Sequence, residues 1–138
     1  MGTKVTSRHR SREKALHLLY RLDISEGETT GGTAPLEEED YGAALAAGVT
    51  AHGAEIDKLI EDFCENWSVD RMAVVDRNIL RLAVFELLYR REVPYKVVID
   101  EAVELANRYC SEDSGAFING VLDRIFKDFI TKKKPLKV

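Results

Sequence analysis

The 138-residue sequence predicts an all-α protein, a compact arrangement of six or seven helices. Three observations predict it. Apolar residues recur at helical spacing through the long segments, and nothing reads as a strand. Three prolines and nine glycines are few and bunch in a handful of places. Residues 72–92, MAVVDRNILRLAVFELLYRRE, are apolar on nearly every side, the pattern of a helix wrapped by others at the centre of a fold.

The elements follow in order. On a helix over residues 10–22, Arg10, Lys14, His17 and Arg21 fall within a sector of about 60°. Ala15, Leu18, Leu19 and Leu22 form a broader sector more than a quarter-turn away. One face packs and the other is a basic stripe. Arg8 and Arg12 would project toward the apolar side if the helix continued backward. They are expected just beyond the core, in the first turn or the arm before it. A helix N-terminus is the positive end of the macrodipole, so arginines gathered there point to a bound anion. The planar guanidinium suits phosphate.

Residues 26–40, EGETTGGTAPLEEED, lack apolar periodicity and read as a loop. Residues 41–67 read as helical, with Leu45, Val49, Ile56, Leu59, Ile60 and Phe63 on one stripe. Gly48 and Gly53 are expected to kink or break that helix near His52. Ser68 or Asp70 can cap the central helix, and Pro94 stops it. Arg77 and Arg81, one turn apart, and Asp76 and Glu86 interrupt its apolar surface. Residues 97–110 predict a helix starting near Asp100, whose carboxylate can cap it. SEDS, 111–114, is a turn with several capping candidates. Residues 115–130 form the last helix, with Phe117, Val121, Leu122, Ile125 and Phe129 on its apolar stripe.

Charge is uneven. The chain carries a net −4, yet residues 1–21 set six basic groups against Glu13 and residues 127–138 set five lysines against Asp128. The body between them is therefore strongly acidic. The asymmetry predicts two partners, a polyanion at the ends and a basic molecule at the body. A hydrophobic fraction of 45% with 32% charged residues describes a globular protein, and no apolar run is long enough for a membrane span. The N-terminus lacks the apolar stretch of a signal peptide, which places the protein in the cytoplasm. Cys64 and Cys110 have no CxxC spacing and read as reduced. With three scattered histidines they form no zinc set, and no metal or cofactor is expected. His17 and His52 read as surface residues. No nucleophile motif, HExxH, Gly-rich phosphate loop or EF-hand spacing is present, so catalysis is not expected.

Four blocks, RHRSREKALHLLY, DRNILRLAVFELL, VPYKVVIDEAVELA and EDSGAFINGVLDRI, resemble in order the NusB family of bacterial transcription antitermination factors. The resemblance covers nearly the whole chain apart from 26–40. It implies one domain of two small helical bundles packed roughly perpendicular, 1–67 and 68–130, with a basic tail over 131–138. It also implies no enzymatic activity. Such proteins pair with NusE, a small-subunit ribosomal protein, and the pair binds single-stranded boxA RNA within the RNA polymerase antitermination complex, supporting transcription of ribosomal RNA operons. Arg8, Arg10 and Arg12 match the family's arginine-rich start, with His9 where a further arginine is common. The RNA surface so implied comprises Arg8, His9, Arg10, Arg12, Lys14, Lys96, Tyr109, Asp113, Phe117 and Asn119. Phe117 is open to two readings, core packing or base stacking. Asp113 could instead cap the last helix. Ala116 departs from the family's common lysine. NusE is expected near Tyr20, Asp70, Asp76 and Arg77, with pairing to a neighbouring arginine as the other reading of Asp76. The alternative function is a helical interaction protein, acting only through protein partners or as a homodimer, without direct RNA contact. The domain also occurs fused to RNA cytosine methyltransferases, an activity for which 138 residues leave no room.

Overall fold

The computed structural model describes residues 3–25, 41–64 and 68–133. Among these, every regular element is helical: α1 (Thr3–Ser25), α2 (Tyr41–Ala51), α3 (Gly53–Phe63), α4 (Val74–Tyr89), α5 (Tyr95–Tyr109), α6 (Glu112–Ile125) and the short α7 (Thr131–Lys133). A 3-10 turn, Val69–Arg71, precedes α4, and a π turn, Phe126–Ile130, joins α6 to α7. The expected 26–40 loop, Trp67 and the end of the basic tail lie outside the described residues.

The central position expected of α4 follows from its sequence and is observed. It packs against α1, α2, α3, α5 and α6. Ile79, Leu80, Leu82, Ala83, Val84, Phe85 and Leu87 are all buried. An isolated helix with apolar residues on every side could not stay in water. Each large side chain it buries contributes about 1.5–3 kcal/mol. One continuous core runs from Ala15 and Leu19 on α1 through α4 to Ile118, Leu122 and Ile130.

The boundaries differ from expectation in four places. The break between α2 and α3 falls at His52, as expected, but Gly48 does not make it. A Cβ on Gly48 would sit 2.2 Å from the Phe85 ring, so this glycine lets α2 close onto α4. His52 is half-buried rather than free on the surface, its ring stacked on Tyr89 with centroids 4.3 Å apart. The fifth helix starts at Tyr95, straight after Pro94, because proline suits a helix entrance; Asp100 is then an exposed mid-helix residue and caps nothing. The cap of α6 is Ser111, whose hydroxyl accepts the Ser114 N–H at 3.1 Å. On α6 Ile118 is fully buried with Val121, Leu122 and Ile125, and Phe117 at the edge of that stripe is 36% exposed. On α1 the inward positions are Ala15, Leu16 and Leu19, whereas Leu22 is 55% exposed.

Candidate nucleic-acid and partner interfaces

The basic stripe of α1 is real. Arg10, Lys14, His17 and Arg21 are all exposed along one face. The arm expected before the helix is itself helical, since α1 begins at Thr3. That extension decides the fate of the arginines one by one. Arg12 projects to the apolar side and is buried at 4% exposure. Its Nε and Nη2 donate to the two oxygens of Glu86 at 2.8 and 2.9 Å. Burial works against its charge, but the Glu86 carboxylate more than offsets this and raises its pKa. Arg12 therefore belongs to the fold and is not available to RNA. The reason is Glu86: a carboxylate 1% exposed in the centre of α4 needs a buried cation, and α1 supplies it.

Tyr41 completes this group by donating its hydroxyl to Glu86 Oε2 at 2.7 Å. Burial first, then Glu86, pushes the Tyr41 phenol well above its usual range, so it remains a donor. Arg8 stays exposed and lies over the Tyr41 ring, 3.8 Å from its centroid. Arg90, at the C-terminal end of α4, approaches the same ring at 5.5 Å.

The remaining members of the expected RNA surface divide between two places. His9 and Tyr109 meet at the α1–α5 contact. His9 Nδ1 is 2.8 Å from Glu101 Oε1, and Glu13 accepts from Arg108 at 2.6 Å and from the Tyr109 hydroxyl at 3.2 Å. The Tyr109 ring stands edge-on to His17 at 5.8 Å and is 41% exposed. Asp113 and Phe117, one turn apart on α6, are both exposed. Among the described residues no hydrogen bond, ion pair or ring contact ties them to α1. Lys96 is exposed in the first turn of α5. Asn119 lies on a different face of α6 from Phe117, in a groove between α5 and α6 lined by Asp100, Glu104 and Glu112. Those carboxylates repel phosphate, so Asn119 is not brought to the basic surface.

The expected partner residues are likewise sorted. Tyr20 is 40% exposed and lines an apolar groove of about 370 Å³ with Leu16, His17, Arg21, Ile24, Val75 and Tyr109. Asp70 is exposed on the 3-10 turn. Arg77 is committed within the protein. Its guanidinium donates to both oxygens of Asp23 at 2.9 and 2.7 Å, and Asp23 also receives Asn78 and Arg81 at 3.0 and 3.1 Å. Arg81 in turn pairs with Asp57 at 2.8 and 3.0 Å. Asp76 is half-buried and faces the α5–α6 junction, not a neighbouring arginine. Its Oδ2 accepts the Ser114 hydroxyl at 3.2 Å, its Oδ1 is buried without a hydrogen-bond partner among the described residues, and burial together with Asp76 pushes the nearby Cys110 thiol up to about 12. Arg77 and Asp76 are thus partly buried and each has partners within the molecule.

Sequence reasoning missed Glu13, Glu86 and Glu101 as partners of the basic groups, and Tyr41 and Arg90 as their neighbours. For Glu86 a signal existed: a lone carboxylate in an apolar helix, facing an α1 arginine on the apolar side. His9, Glu101 and Glu104 offer three donor atoms within 4.8 Å of one another. The Arg12 guanidinium 4.0 Å from Glu101 opposes a cation there. No described helix is long and apolar enough to cross a membrane.

Comparison with known proteins gives consistent similarities. Residues 9–127 match the model of the NusB family. The chain is 49% identical over 131 residues to the transcription antitermination protein NusB of Anaeromyxobacter dehalogenans, covering 88% of this chain and 92% of that one. Its fold is similar to that of T. maritima NusB, with a TM-score of 0.77, 38% identity, and coverage of 88% and 91% of the two chains. A structure of the antitermination factors NusB and NusE in complex with dsRNA is similar at a TM-score of 0.75 and 32% identity, covering 88% of this chain and 97% of that one.

Proposed function

The chain belongs to the NusB family, and from that premise we propose that it is a transcription antitermination factor binding boxA RNA together with NusE, the ribosomal protein. In this reading it supports transcription of ribosomal RNA operons from the cytoplasm, within the RNA polymerase antitermination complex, and catalyses nothing. Residues 1–67 and 68–130 are the two helical halves of one domain, and 131–138 are a basic tail.

The observation that carries the reading is the pair of surfaces on α1. An exposed basic face (Arg10, Lys14, His17, Arg21) runs beside the apolar groove of Tyr20, Ile24, Val75 and Tyr109. The basic face suits an RNA backbone, whose affinity is electrostatic and salt-dependent. Tyr109 and Phe117 offer exposed rings for unstacked bases. The groove, with Tyr20 at its centre and exposed Asp70 on the turn before α4, suits a basic protein presenting an apolar element. Glu13 and Glu101 already neutralise part of the basic surface. In this reading NusE adds contacts of its own, so the complex binds RNA more tightly than the chain alone.

A mobility-shift titration with boxA-like RNA tests this, run with single-stranded and double-stranded forms, each with and without NusE. Single-stranded RNA is expected to bind most tightly when NusE is present. Absence of a shift in all four arms rejects the RNA reading. A shift that NusE leaves unchanged rejects the groove as its site.

A further inference from the structure

We propose a phosphate-binding subsite at the corner of α1, α2 and α4, built by Arg8 and Arg90 around the Tyr41 ring. It rests on the RNA reading and adds Arg90 and Tyr41 to the surface, where the sequence had suggested Arg12.

The charge arrangement is the reason. Three arginines (Arg8, Arg12 and Arg90) gather at this corner around Glu86, and Glu101 beyond it pairs with His9 and approaches Arg12 at 4.0 Å. Glu86 is spent. One oxygen accepts Arg12 Nε, and the other accepts Arg12 Nη2 and the Tyr41 hydroxyl. Its charge is cancelled by Arg12 in the interior, where it offers nothing to the other two cations. Arg8 and Arg90 then approach a single ring at 3.8 and 5.5 Å, and neither has a carboxylate partner among the described residues. Other described arginines near carboxylates use them: Arg77 with Asp23, Arg81 with Asp57, and Arg108 with Glu13. Two like charges held together, with no counter-ion among the described residues, form a site that an anion stabilises.

The corner is also pre-organised. The ring of Tyr41 is fixed at its hydroxyl end by the buried Glu86, so the platform under Arg8 does not have to be ordered on binding. A cation–π contact holds the guanidinium in plane while its N–H edge stays free to donate. Arg90 sits where α4 ends, its backbone N–H bonded to Glu86 O at 2.9 Å, so its stem starts from a fixed point. Planar forks of this kind match phosphate oxygens. The ligand class is the backbone phosphate of an RNA strand, contacted without regard to base.

The test is fluorescence anisotropy of labelled boxA-like RNA against salt, with NusE present, for the unmodified chain, Arg90→Gln, Arg90→Lys and Arg91→Gln. Arg91 is the exposed neighbour that makes no contact with the ring. Arg90→Gln is expected to make the slope of log affinity against log salt shallower by about 0.7, one single-strand phosphate, and to weaken scrambled RNA equally. Arg90→Lys is expected to keep the slope, and Arg91→Gln to match the unmodified chain. Circular dichroism of each variant shows whether α4 is intact, and Arg8→Gln, on a different helix, repeats the measurement without touching α4. If Arg90→Gln and Arg8→Gln keep the unmodified slope while the unmodified chain binds RNA, the subsite is wrong and the RNA reading stands. If the unmodified chain binds no RNA, both fall.

Discussion

At the N-terminal end of α1, Arg8 and Arg10 stand exposed while Arg12, one turn beyond Arg8, is buried against Glu86. At its C-terminal end the signs reverse: the helix contributes Asp23, and α4 supplies the cations, Arg77 and Arg81. Both ends therefore lock α1 to α4 with a carboxylate and arginine, but only the first gathers two further arginines, Arg8 and Arg90, on one aromatic ring. The difference teaches that the count of basic residues says little about where a polyanion lands. The excess over local carboxylates, once burial is known, decides it.

Four predictions sharpen or break this contrast. The largest effect is expected from Glu86→Ala, which leaves Arg12 charged and buried with only the more distant Glu101 at 4.0 Å. Chemical unfolding should show a loss of about 3–5 kcal/mol. Replacing both members, Arg12→Met with Glu86→Leu, should recover most of it, because two well-packed apolar groups avoid the desolvation of an ion pair. If Glu86→Ala is as stable as the parent, the lock at this end does not exist.

Next comes Asp23→Ala, expected to cost about 2 kcal/mol through loss of charge-assisted hydrogen bonds to Arg77, Arg81 and Asn78. This lock is also acid-sensitive. The Arg77 hydrogen bonds, opposed in part by burial, hold the Asp23 carboxyl at about 2, below the unfolded value of about 3.9. The stabilisation is full above the unfolded value and disappears as pH falls toward 2. Stability curves of parent and Asp23→Ala, measured against pH, should therefore converge in acid. Parallel curves down to pH 2 would contradict the pairing.

Third, replacing Arg8 and Arg10 together with alanine should flatten the salt dependence of RNA binding by about 1.4, two phosphates, with no change in helical circular dichroism. A large loss of stability instead would make these cations part of the lock. Smallest is Phe117→Ala. A buried phenylalanine would cost about 3–5 kcal/mol, but this one is 36% exposed. A loss of stability under about 1 kcal/mol is expected, with RNA affinity reduced at least about fivefold if the ring stacks on a base. Thermal unfolding and anisotropy on the same preparation separate the two.

Much of the fold was legible because it depends on periodicity. The all-apolar run at 72–92 requires neighbours on all sides, and α4 has them. The basic stripe of α1 was legible for the same reason, since Arg10, Lys14, His17 and Arg21 fall on one face at helical spacing. What periodicity cannot show is where one helix meets another. Arg12 reads as part of a basic cluster until Glu86 is seen opposite it, and the two are far apart in sequence. The pairing of Arg77 and Asp76 was hidden for the same reason: their partners Asp23 and Ser114 come from other helices. Phe117 turned on the width of the apolar stripe. Ile118, Val121, Leu122 and Ile125 take the buried face, and Phe117, about 100° from Ile118 on the helix, is left at its edge.

The contact between Cys110 and Asp76 has a consequence for reactivity. With its thiol at about 12, Cys110 carries about one part in 10⁵ of thiolate at pH 7, and thiolate is the reactive species. Cys64, buried in the core, is pushed up as well. Alkylating reagents and disulfide exchange thus find almost no nucleophile on the folded protein. Cys110 is exposed and Cys64 is buried, so labelling at neutral pH is expected to be slow at Cys110 and slower still at Cys64.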